Sequence, residues 1–173
     1  NYNNYNNYNN YNNYNNYNNY NNYNNNIHYN YKTTAIEKYT DLGTLVILGG
    51  DTEYGATASI ETILGNPSVP ELPEKRWGHN GFILPNSEIV VCGGKGQHHN
   101  MALSRGCISL PSLSSSWTSH SNFNQPRIYA SAVTMTSGDV FLLGGWYSGM
   151  TSEVLLNGAA TWSQGPDLPE PVD

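Results

Sequence analysis

Three times the chain runs four apolar residues straight into a pair of glycines: Leu45-Val46-Ile47-Leu48-Gly49-Gly50, Ile89-Val90-Val91-Cys92-Gly93-Gly94 and Val140-Phe141-Leu142-Leu143-Gly144-Gly145. An unbroken apolar run of this length, rich in branched side chains, is the pattern of a strand buried on both faces, and the glycines mark a backbone kink that other residues adopt only at a cost. A chain that repeats such a strand is organised as a series of sheets. The pairs end at residues 50, 94 and 145, so the repeat intervals are 44 and 51 residues.

Around the second and third pairs the flanking sequence repeats as well. Arg76 precedes Gly93 by 17 residues, and Arg127 precedes Gly144 by the same 17. Strands are expected at His79–Leu84 and Glu88–Gly94 across the turn Pro85-Asn86-Ser87, then at Ala102–Leu110, with Trp117 in a fourth. The third unit repeats this order with Tyr129–Met135, Asp139–Gly145, Ser152–Leu156 and a strand holding Trp162, and the dipeptide Asn157-Gly158 makes a turn between the last two. The first unit is degenerate: nothing before Tyr39 matches the arginine motif, and Val69 stands where a Trp would be.

An arginine closely followed by His79 or Tyr129, an apolar strand ending in Gly-Gly, and a Trp before a Pro-rich link (Trp162, then Pro166-Asp167-Leu168-Pro169) resemble the kelch repeat. The resemblance covers roughly residues 33–170, with repeat lengths bracketing the nearly 50 residues of that family. It implies an all-β fold of about three four-stranded propeller blades, at 33–74, 75–124 and 125–170, within a domain spanning 33–173. The structural motif is then Gly49, Gly50, Arg76, Gly93, Gly94, Trp117, Arg127, Gly144, Gly145 and Trp162. The two arginines are expected to tie adjacent blades through backbone carbonyls or carboxylates. An unrelated β-sandwich is the rival fold. Propellers close with 4–8 blades, so three leave open sheet edges and an incomplete ring. The expectation is an oligomer or a longer protein, since the sequence stops at Asp173 where another arginine is due and opens on Asn1 without a Met.

Residues 1–32 form a separate segment. The first 26 are only Asn and Tyr, with eight copies of Asn-Tyr-Asn placing Tyr2, Tyr5, Tyr8, Tyr11, Tyr14, Tyr17, Tyr20 and Tyr23 at a strict period of three. Such a stretch has too little apolar surface to build a core. Its period is neither the 2 of a strand nor the 3.6 of an α-helix, but it is that of polyproline II, which would line the rings along one edge. Two readings stay open: a passive low-complexity tail, or an extended assembly segment that stacks its amides and rings on other chains.

Charge narrows the partners. The net charge is −6 and the seven cations are scattered, so neither nucleic acid nor anionic lipid is an expected partner. No apolar run reaches the ~18 residues of a membrane span, and no signal peptide is read in the sequence given, whose start at Asn1 without a Met fits a leader already removed or a fragment of a longer chain. Cys92 and Cys107 fall opposite each other if their hairpin is centred between residues 99 and 100. Opposed antiparallel residues are close enough for a disulfide, which would close a loop worth roughly 3 kcal/mol and imply an oxidising, extracellular setting. Reduced core thiols are the alternative.

No nucleophile triad, paired-carboxylate motif or phosphate loop is present. His98-His99 reads as an exposed loop pair, and His79 and Tyr129 as equivalent structural positions. Some secreted kelch-like propellers are copper radical oxidases. Tyr129, His79, His98 and His99 would be the candidate ligands here, but a bridged Cys92 leaves no thiol for the Cys–Tyr crosslink. The expected protein is therefore a secreted, non-enzymatic structural or assembly module without cofactor or metal, whose partners are copies of itself. An intracellular kelch adaptor and an oxidase-like propeller are the alternatives.

Overall fold

A computed structural model of the chain describes residues 32–38, 44–52, 54–63, 68–96 and 104–171. The Asn/Tyr repeat with its eight tyrosines and the pair His98-His99 lie outside the described residues. Within them the secondary structure is entirely β, in three antiparallel sheets, none of which closes on itself.

The first sheet contains β1 (Lys32–Lys38), β2 (Thr44–Thr52) and β3 (Gly55–Ile63) in that order. It has three strands among the described residues, not the expected four. Val69, placed by sequence in a fourth strand, lies in irregular chain and packs half-buried beside the core. That chain is held along β3 by Leu72 N–H donating to Ala58 O (3.0 Å) and Arg76 N–H to Thr57 O (3.2 Å).

The second and third sheets are four-stranded meanders. The second has β4 (Asn80–Ile83), β5 (Ile89–Cys92), β6 (Cys107–Leu110) and β7 (Thr118–His120). The third has β8 (Ser131–Thr134), β9 (Val140–Leu143), β10 (Ser152–Leu155) and β11 (Ser163–Gln164). Both open with the same turn: Ser87 N–H reaches Leu84 O at 2.8 Å, and Gly138 N–H reaches Met135 O at 2.9 Å. The first strands of successive sheets are neighbours, β1 beside β4 and β4 beside β8.

The apolar strand β5 is buried on both faces because the middle sheet has a sheet on each side to cover it. Along β5, Ile89 and Val91 point into one core with Val46, Leu48, Leu72 and Leu110. Val90 and Cys92 point into the other, with Phe123, Val140, Leu142, Leu155 and Trp162. Alternate residues of a strand face opposite ways, so an unbroken apolar run fills two cores at once, each side chain contributing about 1.5–3 kcal/mol. The tryptophans reach back toward the preceding sheet. Trp117 Nε1–H donates to Pro70 O at 2.9 Å, and the Trp162 ring meets Phe123 and Phe82 edge-on at 4.9 and 5.8 Å.

Candidate functional site

The glycine pairs and arginines, far apart in sequence, meet at two junctions between sheets. Gly50 N–H donates to Arg76 O and Gly94 N–H to Arg127 O, both at 2.9 Å, so each pair's second glycine is joined to the chain entering the next sheet. The junctions are too tight for side chains. A Cβ on Gly93 (φ +71) would lie 2.7 Å from Arg127 O, and one on Gly94 (φ +83) would lie 2.6 Å from Trp77 O. Glycine is needed there both for the left-handed conformation and for the approach of the neighbouring backbone.

The guanidinium groups do something different from what the sequence suggested. They do not cross to the other sheet but turn into their own, while the arginine main chain makes the tie. Arg127, fully buried, donates Nη1–H to Gly144 O (2.7 Å) and Thr151 O (2.9 Å), Nη2–H to Thr151 Oγ1 (3.0 Å) and Nε–H to Glu153 Oε1 (3.1 Å). Glu153 is also buried and accepts the backbone N–H groups of Asn124 (2.6 Å) and Gln125 (3.2 Å), fixing the link between sheets. Arg76 repeats the arrangement loosely, reaching Gly93 O at 3.3 Å and Gly106 O at 3.4 Å. Its carboxylate neighbour is Glu74, 3.6 Å away and 79% exposed. Burial lowers the Arg76 pKa, and Glu74 partly offsets this.

Glu153 was not singled out by sequence. The available signal was a lone charge in a strand whose other residues are Ser152, Val154 and Leu155. An acid in an apolar strand needs a buried cation.

Cys92 and Cys107 are disulfide-bonded, directly opposed across β5 and β6 with Cα atoms 4.1 Å apart. No free cysteine remains for a crosslink to tyrosine. Among the described residues, no group of three or more His, Cys, Asp or Glu side chains is arranged to hold a metal ion, and no helix is long and apolar enough to cross a membrane.

His79 fills the space that Gly49 leaves open: a Cβ there would be 3.1 Å from the imidazole Cε1. Burial, reinforced by the Arg76 charge, lowers its pKa from 6.5 to about 3, against the opposing effect of a hydrogen bond with the Leu48 backbone. Between these values the unfolded chain carries a proton that the folded chain refuses, so stability is lost as pH falls below the unfolded value. The slope of unfolding free energy against pH, from about pH 6 to pH 4, is expected to be about one proton steeper than in His79→Gln. Urea titrations at several pH values measure it, and parallel slopes would refute it.

The sequence reading paired His79 with Tyr129, and the structure corrects this. Tyr129 occupies the place of Gly78: its φ is +58 against +62, and its N–H donates to Gly78 O at 2.8 Å. His79 corresponds to Ala130, since both lie against the second glycine of their own sheet's pair. The offset arises because Tyr129 follows its arginine by two residues and His79 by three.

No protein-family model matches this sequence, and neither does any curated protein.

Proposed function

We propose that this chain is an extracellular structural protein that assembles through its sheets, which are successive kelch-type blades of an incomplete propeller. The four-stranded meanders, neighbouring first strands and repeated Arg-to-Gly ties support that reading of the fold. The disulfide supports an oxidising compartment. The Asn/Tyr repeat is the second, self-associating element.

One observation carries the assembly reading. Gly50 and Gly94 each donate to the next sheet, but the equivalent Gly145 N–H has no partner among the described residues. The same side of the third sheet bears Val133, Phe141 and Leu143, in positions that in the second sheet are covered: Val90 and Cys92 are buried there, whereas Val133 is 43% exposed. An apolar face with an open hydrogen-bond donor at its edge is suited to receive another sheet. Sedimentation velocity over a range of concentrations is expected to show association, which the double variant Val133→Lys/Phe141→Lys abolishes while its circular dichroism stays native. A wild-type protein that remains monomeric throughout contradicts the reading.

A further inference from the structure

Counted back from the glycine pairs, Val46 and Leu48 of the first sheet correspond to Val90 and Cys92 of the second and to Phe141 and Leu143 of the third. These residues lie on one face of their sheet, and the alternate ones, Leu45 and Ile47, Ile89 and Val91, Val140 and Leu142, lie on the other. Both junctions within the chain use the two faces in the same way. Val46 and Leu48 meet Ile89 and Val91, and Val90 and Cys92 meet Val140 and Leu142. One face of each kind is therefore left over, on the third sheet and on the first.

The face left over on the third sheet is apolar at its centre. Val133, Phe141, Leu143 and Val154 are exposed or half-buried, whereas Phe82, Val90, Cys92 and Ser109, their counterparts in the second sheet, are all 5% exposed or less. The chain beyond the sheet repeats as well. Leu168 N–H donates to Met150 O (2.7 Å) as Phe123 N–H donates to Arg105 O (3.0 Å), yet Phe123 is buried in the core between two sheets and Leu168 is left half-buried. The face left over on the first sheet is built like the face of the third that meets the second. Leu45, Ile47 and Glu61 stand where Val140, Leu142 and Glu153 stand, since Ile47 is paired with Glu61 as Leu142 is with Glu153. Val140, Leu142 and Glu153 are buried at their junction, but Leu45 and Ile47 are half-buried and Glu61 is exposed.

We propose that the open face of the third sheet binds the outer face of the first sheet in a second copy of this chain, so that two chains make between them the junction that each makes twice within itself. This rests on the assembly reading above and names its partner surface. The occupant follows from the internal junctions, where each kind of face is covered by the other kind and not by its own.

Three variants test this by sedimentation velocity, each checked for native circular dichroism. Val133→Lys/Phe141→Lys spoils the open face, Leu45→Lys/Ile47→Lys spoils the outer face, and Glu61→Arg alters the outer face at a residue whose exposure spares the fold. Each is expected to raise the dissociation constant for self-association at least tenfold. Mixed in equal amounts, the two double variants are expected to form a complex of two chains and nothing larger, because each brings the face that the other lacks. Outer-face variants that associate like the wild type overturn the inference, since the open face then meets its own copy or the Asn/Tyr repeat, and they leave the assembly reading standing. A mixture that stays monomeric while the wild type associates does the same. If Leu45→Lys/Ile47→Lys fails to fold, Glu61→Arg decides alone: a tenfold loss supports the inference and unchanged association overturns it. A wild type that is monomeric at every concentration defeats the assembly reading and this one together.

Discussion

Replacing Arg127 with alanine is expected to lower the unfolding free energy by about 3–5 kcal/mol. The loss comes less from the missing bonds than from what they leave behind. The Glu153 carboxylate would stay buried without its cation, and the carbonyls of Gly144 and Thr151 would lose their donor. Arg76→Ala should cost less, about 1–2 kcal/mol, because its carbonyl bonds are long and Glu74 returns to water. The double variant Arg127→Met/Glu153→Leu should recover only the part due to the unpaired carboxylate, since it still leaves the carbonyls of Gly144 and Thr151 and the N–H groups of Asn124 and Gln125 without their partners. Urea denaturation compares the four proteins. An Arg127→Ala variant within 1 kcal/mol of wild type would mean that the buried pair does not hold the third sheet to its junction.

Reducing the Cys92–Cys107 bridge is expected to remove about 3 kcal/mol, from the freedom that the unfolded chain regains when its closed loop opens. With a urea dependence of about 1–3 kcal/mol per molar, the midpoint should fall by about 1–3 M. Both sulfurs lie in buried side chains of the core shared by the second and third sheets, so reductant should act slowly on the native protein and quickly once urea is added. Intact mass after alkylation, with and without reductant, reads the same bond directly. Two alkylatable thiols in the untreated native protein would show that the bridge does not form.

The apolar strands and the turns were legible in sequence because both are local signals. β5 and β9 fall inside the expected ranges, and the hairpin symmetry that pairs Cys92 with Cys107 needs only a count of residues. The first sheet was harder, since its connection beyond β3 carries Val69 where a large ring would have anchored a fourth strand. What sequence could not give was the division of labour within each arginine. Spacing shows that Arg127 and Gly144 belong together, but not that the guanidinium serves its own sheet while the carbonyl of the same residue serves the preceding one. Glu153 was missed for a similar reason: a carboxylate's burial depends on a cation 26 positions earlier, which no periodicity reports.

In the two glycine ties the donor belongs to the earlier sheet and the acceptor to the chain entering the later one, from Gly50 to Arg76 and from Gly94 to Arg127, although Tyr129 N–H donates the other way, to Gly78 O. These ties give the series a polarity: in each, the amide stands on the earlier sheet and the carbonyl on the chain entering the later one. Surfaces of that kind cannot satisfy each other by twofold symmetry, because head meeting head leaves both amides unmet. Under the assembly proposed above, addition through these ties runs head to tail. Whether the result is a closed ring or an unlimited filament is then set by one quantity, the rotation relating each sheet to the next.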